Sequence, residues 1–580
     1  MIKKHFAAIL FSILIGVGML VPQWYFSWSL GPDYRGITIM GTDAETCYDA
    51  RIKNAAEGGG VGNPFFLEEK DEVPPPGYVI AEEILALPLY VFDISVSQLS
   101  LIYLFFFPAL IFLLVYAFLY RLIRDRGGAI AGAFLVVFGY KLLTLSGIFN
   151  LFTWSGAYEQ FSSYARPVNP QFSSLFFFGY LHTLLTIWRR KSKNISIIWY
   201  ALVLFFVGIS FYIYFYTWTF FAVLSGLFVA LLIWKKEYEK LKRVLIVLVG
   251  ASLVGIPYML ELHSFTSHPY YADISKTFGL LYSHKPILSL AGIIVTILFL
   301  GTLWLQRQEG KETPKDVLFL GSVLLSTYIV INQQIITGIL LQEGHYHWFF
   351  NMPIFGIILI WSLYMILKRT YPKIYTMFIW GLVVASVLMF ILVQTSSYKV
   401  QAPIFSQEQS YMNVIQWLNE NAGHDDVVLA DNDLSDLIPI YTNLYDYWDE
   451  YGFTYLIPRE RVMHALFTYL YLYDVDPATL PEAAYHPPIK EYSTAYQYRE
   501  VSILLGDKKA YLNGFYPEDM AEQYKAIRMR PISEQLNGPY RVDYIIVTER
   551  TGSNWHKALS GFPIVFQDGS YTIYKNGRTN

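Results

Sequence analysis

The sequence predicts an α-helical polytopic membrane protein that carries a smaller α/β domain at its C-terminal end. Of the 580 residues, 54% are hydrophobic and only 15% are charged, whereas soluble proteins contain about 25% charged residues. Long apolar stretches recur between residues 7 and 396, and the rest of the chain mixes helical with strand-like patterns. Together with a mean hydropathy of +0.35, these features exclude a disordered chain, a coiled coil and an ordinary soluble enzyme.

The charge balance and the cysteine content exclude further classes. The formal net charge is −3, so the chain lacks the basic field that nucleic-acid binding requires, and no nucleic-acid partner is expected. The only cysteine is Cys47, which excludes an intramolecular disulfide and any metal site built from several cysteines.

The membrane region is expected to contain about eleven transmembrane helices, because a helix needs roughly 20 apolar residues to cross a bilayer. The apolar stretches run over 7–27, 98–120, 128–149, 171–188, 195–213, 215–234, 244–262, 286–306, 317–337, 351–367 and 374–396. The first stretch has no small-residue cleavage site after it, so we expect it to remain as an anchor.

The distribution of lysine and arginine predicts the orientation. Basic clusters follow every second predicted span, at 121–126, 189–193, 235–243, 307–315 and 368–373. All of them fall on the side of Lys3 and Lys4. We therefore expect a multi-pass protein of the plasma membrane with a cytoplasmic N-terminus and an extracytoplasmic C-terminal domain.

The chain then divides into a transmembrane domain, residues 1–396, and a soluble domain, residues 397–580. The transmembrane domain presents outer loops at 28–97, 150–170, 263–285 and 338–350. In the soluble domain we expect a helix over 407–421 and strands at 427–430, 544–547, 564–566 and 571–574. The Asp568-Gly569 turn between the last two strands predicts a hairpin.

The first outer loop contains the candidate catalytic residues, Asp43 and Glu45. The segment 41–53 has the pattern of a helix start, since Thr42 and Glu45 have the spacing of a capping box. An Asp in the first turn would be stabilised by the helix dipole. Both acids could serve only to start the helix. A carboxylate held next to the membrane could also orient or deprotonate a hydroxyl group.

The same segment resembles the GT-C membrane glycosyltransferases, and most of all the oligosaccharyltransferase catalytic subunit and the related transferases that use polyprenyl-phosphate sugars. The resemblance rests on Asp43, Tyr48, Arg51 and Gly58, followed by Pro75-Pro76-Gly77 and an expected interfacial helix over 80–92. It also covers the general plan of a first span, an acidic loop, many helices and an outer C-terminal domain. It implies a GT-C-like fold, and it implies that Arg51 contributes to substrate binding.

Candidate substrate-binding side chains lie on the other outer loops. Arg166 and Asn169 are in a segment held by two prolines, and an arginine fork is suited to phosphate. The alternative for Arg166 is a snorkelling interfacial anchor. Lys285 is a second cation, at the end of a predicted helix. His345 and His347, at a membrane edge, could hydrogen-bond phosphate or sugar, or belong to an aromatic belt.

Lys141 is predicted well inside the third span. A buried cation of this kind usually faces a partner or a wet cavity. Glu261 is a possible partner.

By resemblance and topology, the expected function is transfer of a sugar from a polyprenyl-phosphate donor to a glycan, lipid or protein acceptor on the outer face. Nucleotide sugars are cytosolic, so an outward site would need a lipid-linked donor. The sequence requires no cofactor and leaves open a divalent cation bound near Glu45. Two alternatives remain: a transporter or flippase of lipid-linked sugars, and a non-catalytic assembly protein of the cell envelope.

Overall fold

The computed structural model describes residues 2–73, 80–271, 281–310, 316–480 and 517–577. The predicted Pro75-Pro76-Gly77 turn lies outside these ranges. Up to residue 408 the described chain is mainly helical. In chain order its α-helices are α1 (Ile2–Leu30), α2 (Glu45–Asn54), α3 (Ala81–Ala86), α4 (Val96–Ile123), α5 (Arg126–Val137), α6 (Leu145–Thr153), α7 (Ser173–Arg189), α8 (Ile197–Ile213), α9 (Phe215–Trp234), α10 (Tyr238–Val254), α11 (Ile256–Thr266), α12 (Leu290–Gln308), α13 (Val317–Val330), α14 (Gln334–Thr337), α15 (Glu343–Tyr346), α16 (Met352–Thr370) and α17 (Pro372–Glu408).

The described chain is a multi-pass helical membrane protein. Seven of its helical segments are long and apolar enough to cross a membrane, or eight if the pair α10 and α11, bent by 46°, forms one span. Helices α7 and α8 are 17 residues long and α5 is 12, and they occupy three of the other predicted positions. Each of the eleven predicted stretches thus contains helix, but length and hydropathy support seven or eight spans.

The predicted third span, 128–149, is not one helix. Helix α5 is followed by a 3-10 turn, Tyr140–Leu143, before α6 begins. Gly139 lies so close to α17 that an added Cβ would be 2.3 Å from the hydroxyl oxygen of Ser386. The Thr144 side chain then accepts a backbone N–H of α6 at 3.0 Å and caps that helix. Lys141 therefore lies in a turn rather than inside a transmembrane helix.

The C-terminal region, residues 409–577, contains a mixed sheet surrounded by helices. Helix α17 runs without a break past the predicted boundary at 396 and leads through a 3-10 turn into α18 (Met412–Asn421). The remaining elements are β3 (Val427–Leu429), α19 (Asn432–Ser435), α20 (Ile438–Tyr441), β4 (Tyr445–Asp446), α21 (Arg459–Leu472), α22 (Pro517–Arg528), α23 (Ile532–Leu536), β5 (Tyr544–Val547), α24 (Gly552–Ala558), β6 (Ile564–Asp568) and β7 (Tyr571–Lys575).

The order of strands in this sheet is β4-β3-β5-β7-β6. Strand β3 is parallel to both β4 and β5, and β7 is antiparallel to β5 and β6. The four predicted strands and the hairpin at Asp568-Gly569 are confirmed, and Gly569 has the positive φ of 52° that the turn requires. Strand β4 was not predicted, because two residues carry no detectable alternation.

One apolar core joins the first loop to the C-terminal region. Phe65 and Phe66 from the loop belong to the same buried cluster as Val428 of β3 and Ile545 of β5. The backbone N–H of Asp446 donates to the carbonyl oxygen of Phe65 at 2.7 Å. A second buried cluster lies among the membrane helices. The first loop and the C-terminal region therefore pack together on one face, which we call the loop face.

The other predicted outer loops lie on the same face. The backbone N–H of Phe161 donates to the carbonyl oxygen of Gly41 at 3.0 Å, which connects the 150–170 loop to the first loop. Strands β1 (Leu281–Tyr282) and β2 (Ile339–Leu340) pair antiparallel and connect the remaining two. Successive predicted spans cross the membrane in opposite directions, so the four predicted outer loops are required to lie on the same side.

The expected interfacial helix over 80–92 consists of α3 and a 3-10 turn, Leu87–Tyr90. It exposes four large apolar side chains. These are Leu87, Tyr90, Val91 and Phe92.

Candidate active site

A cavity of about 450 Å³ opens on the loop face, where four segments of the chain meet. The first loop contributes Thr42 and Asp43. The turn after α5 contributes Lys141, and the 150–170 loop contributes Arg166 with several polar neighbours. The segment around α15 contributes His345. Three residues predicted from separate outer loops, Asp43, Arg166 and His345, thus line one space.

Asp43 presents an accessible carboxylate to this cavity. It precedes α2 and is followed by Ala44, whose left-handed φ of 56° turns the chain into the helix. Nε of Arg166 donates to the main-chain carbonyl oxygen of Asp43 at 2.8 Å. Nη2 of Arg166 lies 3.5 Å from Oδ2 of the Asp43 carboxylate, and 61% of the Asp43 side chain is exposed. Asp43 is held in place through its main chain, and its carboxylate remains open to a ligand.

Glu45 is not part of the described lining, and the predicted capping box is not formed. The backbone N–H and the hydroxyl of Thr42 both donate to Oε2 of Glu45, at 2.9 and 2.7 Å, so the Thr42 side chain does not cap the helix. Burial and the nearby Asp49 carboxylate raise the pKa of Glu45 to about 8, although the bonds from Thr42 oppose the shift. Glu45 therefore closes the turn that presents Asp43.

Asp49 is a buried acid that the sequence analysis missed. The Ser100 hydroxyl donates to its Oδ1 at 2.6 Å and ties α2 to α4. Burial raises the pKa of Asp49 to about 7, and the Ser100 hydrogen bond partly offsets this. Its spacing of four residues from Glu45, on one helix face, was an available signal.

Arg166 is buried, so it is not a snorkelling anchor. Its Nη1 donates to the main-chain carbonyl oxygen of Asn169 at 2.9 Å. The guanidinium lies over the rings of Tyr48 and Phe349, 5.3 and 5.7 Å from their centroids. The guanidinium is therefore held in position from several sides.

Asn169 supports Arg166 through its backbone. Its side-chain Oδ1 accepts a hydrogen bond from the Ser173 hydroxyl at 2.6 Å, at the start of α7. The Asn169 amide, predicted to bind substrate, is fully buried and does not belong to the described cavity lining.

His345 is held by two tyrosines from the junction of α8 and α9. Tyr214 is the single extended residue between these helices, and its hydroxyl is hydrogen-bonded to Nδ1 of His345. The His345 ring stacks on Tyr216 with centroids 4.6 Å apart. The Tyr216 hydroxyl donates to Oε1 of Gln342 at 2.8 Å. The tyrosine-rich sequence 212–216 between two predicted spans was the signal for this cluster.

Lys141 lines the cavity among aromatic rings. Its Nζ lies 4.4 Å from the ring of Trp348 and 5.4 and 5.7 Å from the rings of Tyr140 and Tyr158. Among the ion pairs of the described residues, none joins Lys141 to Glu261. The suggested pairing with Glu261 is therefore not found, and Lys141 remains as a second cation beside Arg166.

A second cavity of about 510 Å³ adjoins the first, and both are lined by Gly344 and Trp348. Its walls are mainly leucine and isoleucine side chains of α6, α12 and the turn after α5. His347 lies on this apolar cavity and packs edge-on against Trp348. The two histidines therefore face different spaces.

Besides Asn169, two predicted binding residues are not brought to either described cavity. Arg51 forms an ion pair with Glu82, Nη2 to Oε1 at 2.9 Å, and joins α2 to α3. Lys285 is exposed, and its main-chain carbonyl oxygen accepts a hydrogen bond from the Gln334 side chain at 2.9 Å. The ion pair shown for Arg51 joins two helices, and its part in substrate binding stays a prediction.

The described residues contain no group of three or more His, Cys, Asp or Glu side chains that could hold a metal ion. No protein-family model and no curated protein matches the sequence. One solved structure similar to this chain is the crystal structure of ArnT from Cupriavidus metallidurans bound to undecaprenyl phosphate. The identity is 11%, the match covers 97% of each chain, and the TM-score is 0.45. The case for a function therefore rests on the residues of the chain itself.

Proposed function

We propose that the chain is a membrane glycosyltransferase of the GT-C type that transfers a sugar from a polyprenyl-phosphate donor to an acceptor hydroxyl on the loop face. The observation that supports this proposal most strongly is the pair of adjoining cavities. One contains an accessible carboxylate and two cations, and its neighbour is apolar. A polyprenyl-phosphate sugar has the same sequence of parts: a polar sugar, an anionic phosphate and an apolar chain.

Asp43 is the proposed base. In the reaction a bond forms between the acceptor oxygen and the anomeric carbon of the sugar. The bond from that carbon to the phosphate oxygen breaks. The acceptor proton passes to the Asp43 carboxylate. General-base catalysis of this kind raises the rate by about 10²–10⁴-fold. Its exposure leaves room for an acceptor.

Arg166 and Lys141 are the proposed ligands of the leaving phosphate. Negative charge grows on that phosphate as the bond to the sugar breaks, and fixed cations in a partly dehydrated site stabilise it. Arg166 is pre-positioned by its hydrogen bonds to the main-chain carbonyl oxygens of Asp43 and Asn169. Lys141 has a free ammonium edge because its described contacts are with ring faces.

The apolar cavity is proposed to hold the first isoprene units of the donor. It begins at Trp348, beside Lys141, so a phosphate bound to Lys141 would place its lipid chain at the cavity entrance. His347 lies at this boundary, where it could contact the phosphoryl linkage.

The proposed location is the plasma membrane, with the loop face extracytoplasmic. This orientation follows from the basic clusters, which all lie in the loops opposite the predicted outer loops. Residues 397–580 would then form the extracytoplasmic domain, continuous with the last transmembrane helix. A membrane lipid carrier and an envelope acceptor are the expected partners.

The test uses purified protein in lipid nanodiscs and a panel of polyprenyl-phosphate sugars. Mass spectrometry would follow the release of polyprenyl monophosphate, a product common to all sugars. A transferase releases this product and forms a glycosylated acceptor when envelope lipids or glycans are added. Movement of the intact donor across a liposome membrane, without release of polyprenyl monophosphate, would identify a transporter. An absence of both, with correctly folded protein, would contradict the proposal.

A further inference from the structure

Tyr214 reaches the candidate site from the junction of α8 and α9. Its hydroxyl is hydrogen-bonded to Nδ1 of His345. We propose that Tyr214 fixes His345 in the tautomer with hydrogen on Nε2, so that this ring donates a hydrogen bond to the phosphate of the lipid-linked donor. This inference rests on the proposed function and adds two residues to it.

The direction of this hydrogen bond follows from the chemistry of the two groups. The phenol hydroxyl is the stronger acid and the unprotonated imidazole nitrogen is the stronger base, so Tyr214 donates and Nδ1 of His345 accepts. In a neutral ring Nε2 then carries the hydrogen. A doubly protonated ring would place another positive charge beside Arg166, which Coulomb repulsion disfavours.

The backbone is arranged to place this hydroxyl. Tyr214 has extended geometry, with φ of −166° and ψ of 132°, between the last residue of α8 and the first of α9. This break projects the side chain out of an otherwise continuous helical path. His345 in turn lies just before a π-helical turn, His347–Asn351, a geometry that occurs often at functional sites.

The His345 ring is also held on its face. It stacks on Tyr216, and the Tyr216 hydroxyl is anchored on Gln342. In the part of the chain that the structure describes, Nδ1 has its partner in Tyr214 and Nε2 makes no hydrogen bond. His345 lines the same cavity as Arg166 and Lys141. Nε2–H is therefore a spare donor at the place proposed for the phosphate.

In this arrangement His345 touches the substrate and Tyr214 is a positioning residue that acts through it. His345 supplies a neutral donor next to two cations. The hydrogen bond from His345 strengthens binding of the departing phosphate. Because the ring is neutral, it adds no positive charge that would slow release of the product. Removing one such pre-positioned donor lowers kcat by about 10²–10³-fold in well-studied cases.

Two substitutions of His345 separate the tautomers. His345→Gln keeps an N–H donor at the position of Nε2, whereas His345→Asn places it at the position of Nδ1. The assay is release of polyprenyl monophosphate from the donor that the wild-type protein uses. We expect His345→Gln to retain most of the kcat, and His345→Asn to lose about 100-fold. Equal losses, or a more active Asn variant, would overturn the assignment.

Tyr214→Phe tests the positioning role in two backgrounds. In the wild-type protein it should lower kcat by about tenfold, the effect of one lost hydrogen bond. In the His345→Gln protein it should have little effect, because an amide has no tautomer to fix. An equal loss in both backgrounds would assign Tyr214 a merely structural role and refute the proposal.

A spectroscopic measurement keeps this inference separate from the proposed function. In protein labelled with [15N]histidine, the His345 signals are identified by their loss in His345→Gln. We expect the signature of a neutral ring with hydrogen on Nε2 in the wild-type protein, and a mixture of tautomers in Tyr214→Phe. Hydrogen on Nδ1 would refute the tautomer even in an active enzyme. The expected signature without any turnover would leave the tautomer standing and contradict the transferase.

Discussion

Substitution of Asp43 by Asn separates the proposed chemistry from structural support. The change removes the proton acceptor and keeps the size of the side chain. The contact that holds this turn, from Nε of Arg166 to the Asp43 carbonyl oxygen, involves only the main chain of Asp43 and is retained. What is lost is the ion pair at 3.5 Å, on a side chain that is 61% exposed.

The structure limits how much stability this substitution can remove. Solvent reaches the carboxylate of this pair, and the buried Arg166 keeps its hydrogen bonds to the carbonyl oxygens of Asp43 and Asn169, so the loss should not exceed the roughly 1 kcal/mol at the upper end for solvent-accessible ion pairs. The midpoint of thermal unfolding should therefore fall by at most about 3 °C. Loss of a general base lowers the rate by about 10²–10⁴-fold, which corresponds to about 2.7–5.5 kcal/mol in the activation free energy. The predicted loss of activity is thus much larger than any loss of stability.

The assay is the initial rate of polyprenyl monophosphate release in nanodiscs, at several donor concentrations. We expect kcat/KM of Asp43→Asn to fall by at least 100-fold. The Kd for polyprenyl monophosphate should not rise, because a negative charge near the phosphate has been removed. Asp33→Asn is the matched control, since Asp33 is an exposed acid that follows α1 and is not part of the described cavity lining. A rate within threefold of wild type, or an equal loss in the control, would refute the role of Asp43.

Three further outcomes are expected. Lys141→Met should raise the Kd for polyprenyl monophosphate by about tenfold, since it removes a charged donor; an unchanged Kd would contradict its assignment to the phosphate. Glu82→Gln should destabilise the protein by about 3 kcal/mol, because Arg51 on α2 would remain as a charge without its carboxylate partner; an unchanged unfolding midpoint would contradict a structural role for Arg51. Burial raises the pKa of Glu45 from 4.5 to about 8, so the neutral carboxyl stabilises the fold fully below about pH 4.5, and this contribution is lost as the pH rises through about 8. The thermal-unfolding midpoint of the wild type, measured relative to that of Glu45→Gln, should therefore decrease as the pH rises from 5 to 8. A constant difference would show that Glu45 does not titrate in this range.

Sequence alone predicted the features that depend on local pattern. The strands of the C-terminal sheet and its hairpin follow from alternation and from Asp568-Gly569. The grouping of the outer loops follows from the positions of the basic clusters. The turn at Tyr140–Leu143 could not be predicted from hydropathy, because apolar residues flank it on both sides. It depends on the close approach of Gly139 to α17, which is a contact between distant segments.

The candidate site was predicted in part. Asp43, Arg166 and His345 were identified by residue type and by their position on outer loops, and they meet in one cavity. The predicted capping box was wrong, because the left-handed Ala44 makes Glu45 the first residue of α2. The hydrogen bond between Tyr214 and His345 could not be derived, since tertiary packing brings together two segments that are distant in the sequence.

The shared core of the first loop and the C-terminal region has a consequence for biosynthesis. Phe65 and Glu69 are translated almost four hundred residues before their partners Asp446 and Arg461. At about 5–20 residues per second, the ribosome needs roughly 20–80 s to supply those partners. During that interval the part of the first loop around Phe65 lacks the surface against which it packs in the finished protein. That part of the loop would therefore stay exposed until the C-terminal region is made.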